Sequence, residues 1–147
     1  MALCAIAILA AAPPPTADAK RLEKAQAGVR WQMASRVQAD IDCDSKPDHV
    51  YLGRRDGKVY VALLRATGAA EVLSFGIGAG DQASLCSEPA KIAFEEPTGG
   101  NDPDVPEEVA ALGEYPRCKG IELSGGDCDN FHLFWNIKTS RLAWWRR

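Results

Sequence analysis

Asp56-Gly57 sits between two runs that alternate apolar and other side chains, residues 49–55 and 58–65. An Asp-Gly pair so flanked closes a two-residue hairpin, because the tight turn needs positive φ at both central positions. A two-residue turn allows one register. Val50 then faces Leu63 and Leu52 faces Val61, which makes one apolar face. Tyr51 faces Ala62 and Gly53 faces Tyr60 on the other.

Further strands follow the same logic. Residues 71–75, 91–95, 119–123, 130–137 and 141–145 are short, rich in β-formers and separated by turn residues. In 130–137, Phe131, Leu133, Trp135 and Ile137 share one face, and His132, Phe134 and Asn136 the other. Residues 20–36 are expected to form a short amphipathic helix or arm, with Leu22, Ala25, Val29 and Met33 as its stripe and Gly28 weakening it. Within 96–117, an acidic, proline-rich stretch, Asp104 and Glu107 have capping-box spacing, and Gly113 and Pro116 supply a stop. The expected fold is mainly β: an antiparallel sheet or small sandwich with one or two short helices, disulfide-stabilised. Residues 37–147 then form a single domain with a long acidic loop at 96–117. No internal repeat is visible.

Four carboxylates precede the hairpin. Asp40, Asp42, Asp44 and Asp48 stand at positions 1, 3, 5 and 9 of one loop, with the Lys46 carbonyl at position 7. That spacing wraps oxygen ligands around a calcium ion, whose charge offsets the mutual repulsion of the carboxylates. Tyr51 stands at position 12, where an EF-hand needs a bidentate Glu, so the loop is not an EF-hand. Ser45 stands at position 6 and would need positive φ there. Over residues 40–64 the loop resembles the Asp-x-Asp-x-Asp calcium loop of FG-GAP and VCBS-type repeats. The resemblance implies a calcium site at Asp40, Asp42, Asp44, Lys46 and Asp48, set between two strands. The rest of the chain resembles small exported bacterial proteins ending in Trp-Trp-Arg, which implies no activity.

Residues 1–19 read as an export signal. An apolar run at 3–12 is too short to span a bilayer, Pro13-Pro14-Pro15 follows, and Ala17-Asp18-Ala19 offers a cleavage site before Lys20. No basic residue precedes Leu3, which makes the signal atypical or its start further upstream. Cys43, Cys86, Cys118 and Cys128 then remain, an even number that suits two disulfides and a periplasmic or secreted location. With no Cys-x-x-Cys and only His49 and His132, zinc is disfavoured. Three pairings are open. Cys118–Cys128 is the least favoured, because a hairpin tip at 124–127 would set the two about 16 Å apart. The favoured pairing is Cys86–Cys118 with Cys43–Cys128, which would bring Asp127 and Asp129 towards the Asp loop.

The net charge of −3 argues against nucleic acid as a partner. The serines show no nucleophile-elbow spacing. Glu95 and Glu96 are adjacent, so on a strand they would face opposite ways, and His132 reads as a packed or edge histidine. Catalysis is therefore not expected. Trp145, Arg146 and Arg147 form a possible contact surface for a protein or glycan partner of the envelope, and Trp144 is expected in the core with Trp145 the more accessible. Three functions are carried forward. The first is an exported calcium-loop binding or structural module. The second is an inhibitor or immunity protein against an envelope-degrading enzyme. The third, and least favoured, is a small hydrolase.

Overall fold

The computed structural model describes residues 16–78, 80–97 and 104–146. The hairpin forms in the register its turn demands. Strands β2 (Asp48–Arg55) and β3 (Lys58–Leu64) pair Val50 with Leu63, Leu52 with Val61, Tyr51 with Ala62 and Gly53 with Tyr60. Asp56 has φ 50° and Gly57 φ 70°, the two positive values such a turn requires. β1 (Arg30–Ala39) flanks β2, and β4 (Ala70–Ile77) flanks β3. β5 (Ser84–Leu85) adds a two-residue parallel edge, so one sheet has the order β1-β2-β3-β4-β5. The second is an antiparallel meander of β6 (Lys91–Glu95), β7 (Gly120–Ser124), β8 (Phe131–Asn136) and β9 (Arg141–Trp145).

The two sheets pack face to face, which makes the fold a sandwich. Val50, Leu52, Val59, Val61, Leu63 and Phe75 of the first meet Ile121, Leu123, Phe131, Leu133, Trp135 and Leu142 of the second in one buried cluster. These are the faces that strand alternation predicts. Each outer face carries its own helical cover. Helix α1 (Ala17–Ala25) lays Leu22 on Tyr51, Ala62 and Leu64. Helix α2 (Glu107–Ala110) and a 3-10 turn over Ala111–Glu114 lay Val109 and Leu112 on Cys118 and Phe134.

Several expectations need correction. The helix expected over 20–36 ends at Ala25, and residues from Arg30 onward form β1. Gly28 takes φ 75°, which turns the chain out of the helix. A bulge between Gln32 and Val37 then bends β1, and Ser35 Oγ accepts the Leu52 amide that the ladder leaves unpaired there. The short helix after Asp104 starts later than the capping-box spacing places it: α2 begins at Glu107, behind Pro106. The end of the acidic loop is packed, with Val109 and Leu112 buried. Its residues 98–103 lie outside the described residues, as do residues 1–15 of the expected export segment and Arg147.

The disulfides pair Cys43 with Cys118 and Cys86 with Cys128. Neither favoured bridge forms, and neither does Cys118–Cys128, the least favoured. The reason is strand direction. Cys118 lies just before β7, beside the Asp loop, where the Lys119 amide donates to the Asp40 carbonyl at 2.8 Å. Cys128 lies beyond the other end of β7. The connection there is longer than the expected 124–127 tip, because Leu123 pairs with Phe131. It approaches the segment after β5, where the Ser87 amide donates to the Gly125 carbonyl. Asp127 and Asp129 are thus tethered to Cys86.

The tryptophans also exchange roles. Trp144 leans over Phe131 and Phe75, centroids 5.2 and 6.0 Å apart, but on an edge strand, and it is 37% exposed. Trp145 lies on the outer face, half-buried under the α2 cover and stacked on His132 at 4.5 Å. Ile137, expected to continue the β8 core face, lies beyond the strand and is 38% exposed.

Candidate metal centre

The Asp loop joins β1 to β2, with Ala39 paired to Asp48 across its base. Loop backbone and carboxylates bind one another closely. Asp48 is fully buried: Oδ2 accepts the amides of Ile41 and Asp42 at 3.0 and 3.1 Å, and Oδ1 accepts that of Ala66 at 2.8 Å. Asp40 Oδ2 accepts the Ser45 amide at 2.9 Å, Asp42 Oδ1 the Asp44 amide at 3.2 Å, and Asp44 Oδ1 the Lys46 amide at 2.8 Å. These bonds curl the segment so that its acids turn inward. Ser45 adopts φ 67°, the left-handed conformation its position requires, and Cys43 adopts φ 63°.

Asp40, Asp42 and Asp48 each bring a carboxylate oxygen within 4.8 Å of the others. Among the described residues no other three His, Cys, Asp or Glu side chains gather in this way. Asp44, the fourth expected side-chain ligand, is not part of the cluster and serves the turn instead. Lys46 is exposed and contributes its amide to that turn. Asp40 Oδ1 is buried with no hydrogen-bond partner. Burial pushes the Asp40 carboxyl above its ordinary range, and the charges of Asp42 and Asp44 add to that push. Burial also raises Asp48, against the three amides that favour its charged form.

One residue was invisible to the spacing argument. Arg65 Nε donates to Asp42 Oδ2 at 2.6 Å, and its guanidinium lies 4.5 Å from the Trp135 ring centroid. It supplies a built-in positive charge on the side of the cluster facing the second sheet. An arginine at the end of a strand gives no sequence signal of that role.

The residues fit a hard cation in number and kind. Asp40 has an unsatisfied oxygen, and the bonded oxygens of Asp42 and Asp48 keep lone pairs that a cation could use. A cation there would also offset the burial of the Asp40 carboxylate and the neighbouring charges of Asp42 and Asp44. Ser45→Gly is expected to stabilise the chain by about 1 kcal/mol, since glycine adopts positive φ without the Cβ clash. Thermal melts check this, and a lowered melting temperature would show that Ser45 is not strained.

The other expected contact residues are dispersed. Trp145 lines an outer-face pocket with Glu95 and His132, whereas Arg146 donates to the Ser84 carbonyl at 2.9 Å and covers the Phe131 ring at 4.8 Å. Trp145 and Arg146 therefore do not form one surface. No helix among the described residues is long and apolar enough to cross a membrane. Comparison with protein-family models, with curated proteins and with solved structures finds no match for this chain.

Proposed function

We propose that this chain is an exported, disulfide-held calcium-loop module of the cell envelope that acts by binding rather than by catalysis. The observation that carries the reading is the convergence of Asp40, Asp42 and Asp48 around a buried Asp40 oxygen that has no donor. Two disulfides in a small domain support an oxidising compartment. The loop spans two strands of a sandwich, the setting that its resemblance to FG-GAP-type loops implies.

Calcium should bind modestly, with Kd about 10⁻⁴ to 10⁻³ M as in extracellular modules. Arg65 competes with the ion for Asp42. Arg65→Gln is therefore expected to tighten calcium binding about tenfold, and Asp40→Asn to weaken it by at least as much. Calorimetric titration on the full chain, with melts in calcium and in chelator, measures both. Calcium that neither binds nor raises the melting temperature, in wild type and Arg65→Gln alike, would sink the proposal.

A further inference from the structure

A second acidic feature lies on the outer face of the β6-β7-β8-β9 sheet, and it has the shape of a pocket. The concavity holds about 430 Å³, within the size range of ligand sites. Glu95 and Glu96 stand on one wall, at the end of β6, and Asp127 and Asp129 on another. Glu95 ends the strand and Glu96 lies beyond it, so strand alternation no longer separates them. Half-buried Trp145 supplies apolar surface between the walls, over the nearly buried Val109 and Phe134. Among the described residues no lysine or arginine lines the pocket. Lys119 pairs with Glu96 from outside, and Glu95 accepts His132 Nδ1 at 2.9 and 3.0 Å, which leaves an excess of negative charge.

Three features narrow what could enter. The four carboxylates are not gathered as metal ligands are: three oxygens within 4.8 Å occur only at the Asp loop among the described residues. A larger cation that spans both walls suits their dispersion better than a bare ion. One face of Trp145 is already stacked on His132, which limits the ring as a platform for a sugar. The apolar surface between acidic walls instead matches an aliphatic stem that carries a charged head. The walls are also held in place. Cys128, between Asp127 and Asp129, is bridged to Cys86, and His132 fixes Glu95. Preorganised acceptors lose little freedom on binding.

We propose that this pocket receives the guanidinium or ammonium head of an arginine or lysine side chain on a basic segment of a partner protein. Its aliphatic stem lies along Trp145, and its head donates charge-assisted hydrogen bonds to the carboxylates of the two walls. The site is independent of the calcium loop, so chelator leaves it intact.

Titration of the full chain, in chelator and at low salt, with acetyl-tri-arginine amide tests this. The expected result is binding at Kd about 1 mM or tighter, weakening as salt rises. Asp129→Asn and Glu95→Gln should each weaken it several-fold, whereas Asp56→Asn, which removes an exposed charge at the distant hairpin, should not. The Trp145 indole resonance should shift on binding. The citrulline counterpart of the peptide, equal in shape but uncharged, should not bind. Equal binding of the citrulline peptide, preferential binding of an N-acetylglucosamine trimer, or unchanged affinity in both pocket variants would overturn the proposal. Binding of spermidine but not of the peptide would overturn its assignment to a protein segment. Melts of each variant guard against loss through unfolding.

Discussion

Reduction of both disulfides is expected to abolish the cooperative melt of this domain. Cys43–Cys118 closes a separation of 75 residues and Cys86–Cys128 one of 42. By chain entropy each restricts the unfolded chain by about 4–5 kcal/mol. Their sum is comparable with the roughly 5–15 kcal/mol total stability of a small domain. Each bridge also joins segments that no strand pairing connects. The first ties the Asp loop to the foot of β7, and the second ties the 125–130 connection to the segment after β5. Non-reducing peptide maps should yield 43–118 and 86–128 peptides. Circular dichroism melts before and after full reduction measure the stability loss, and an unchanged melt would refute it. The Cys43→Ala/Cys118→Ala pair should also weaken calcium binding more than the Cys86→Ala/Cys128→Ala pair, because Cys43 is part of the loop.

A chain that begins at Lys20 is expected to be less stable than one that begins at Thr16 by about 2–4 kcal/mol. Thr16 Oγ1 caps α1 by accepting the Ala19 amide at 3.2 Å. Asp18 accepts His49 Nδ1 and the Tyr51 hydroxyl, each at 2.6 Å. Cutting before Lys20 removes the cap and leaves both partners without their acceptor, beneath a helix whose Leu22 is fully buried. The cleavage site read from Ala17-Asp18-Ala19 therefore cuts into the first turn of a packed helix. The pH dependence has a definite sign. Burial pushes Asp18 up, but its bonds from Tyr51 and His49, and the charges of His49 and Arg21, hold it below its ordinary 3.8. A carboxyl lowered on folding contributes stability above its unfolded pKa and loses it as pH falls through the folded value. The difference between the two chains should thus be full above about pH 4 and shrink below it. Burial and the bond to Asp18 also push the Tyr51 hydroxyl up to about 12, so it stays a donor throughout. Denaturant unfolding of both chains across this range measures the difference. Equal stabilities at neutral pH would mean that the first turn of α1 contributes nothing.

What the sequence determined by itself was local. Asp56-Gly57 set the hairpin and its register, because a two-residue turn tolerates one pairing. Alternation in β8 sorted Phe131, Leu133 and Trp135 inward and His132 and Phe134 outward, because strand side chains repeat every two residues. Ser45 was assigned positive φ from its place in the loop, and it has it. Everything that joined distant segments waited for the tertiary structure. The cysteine partners depended on which ends of β7 lie near the Asp loop and near β5, and spacing along the chain carries no such information. Arg65 reached Asp42 only once β3 had been folded beside β2. Residues 30–36 fit a helical stripe until pairing with β2 outweighed that local preference. Trp144 and Trp145 were placed on the correct faces by alternation. Their exposure was reversed by what covers each face: an open edge beside Trp144, and His132 with the α2 cover beside Trp145. Periodicity tells which way a side chain points, and only packing tells what it meets there.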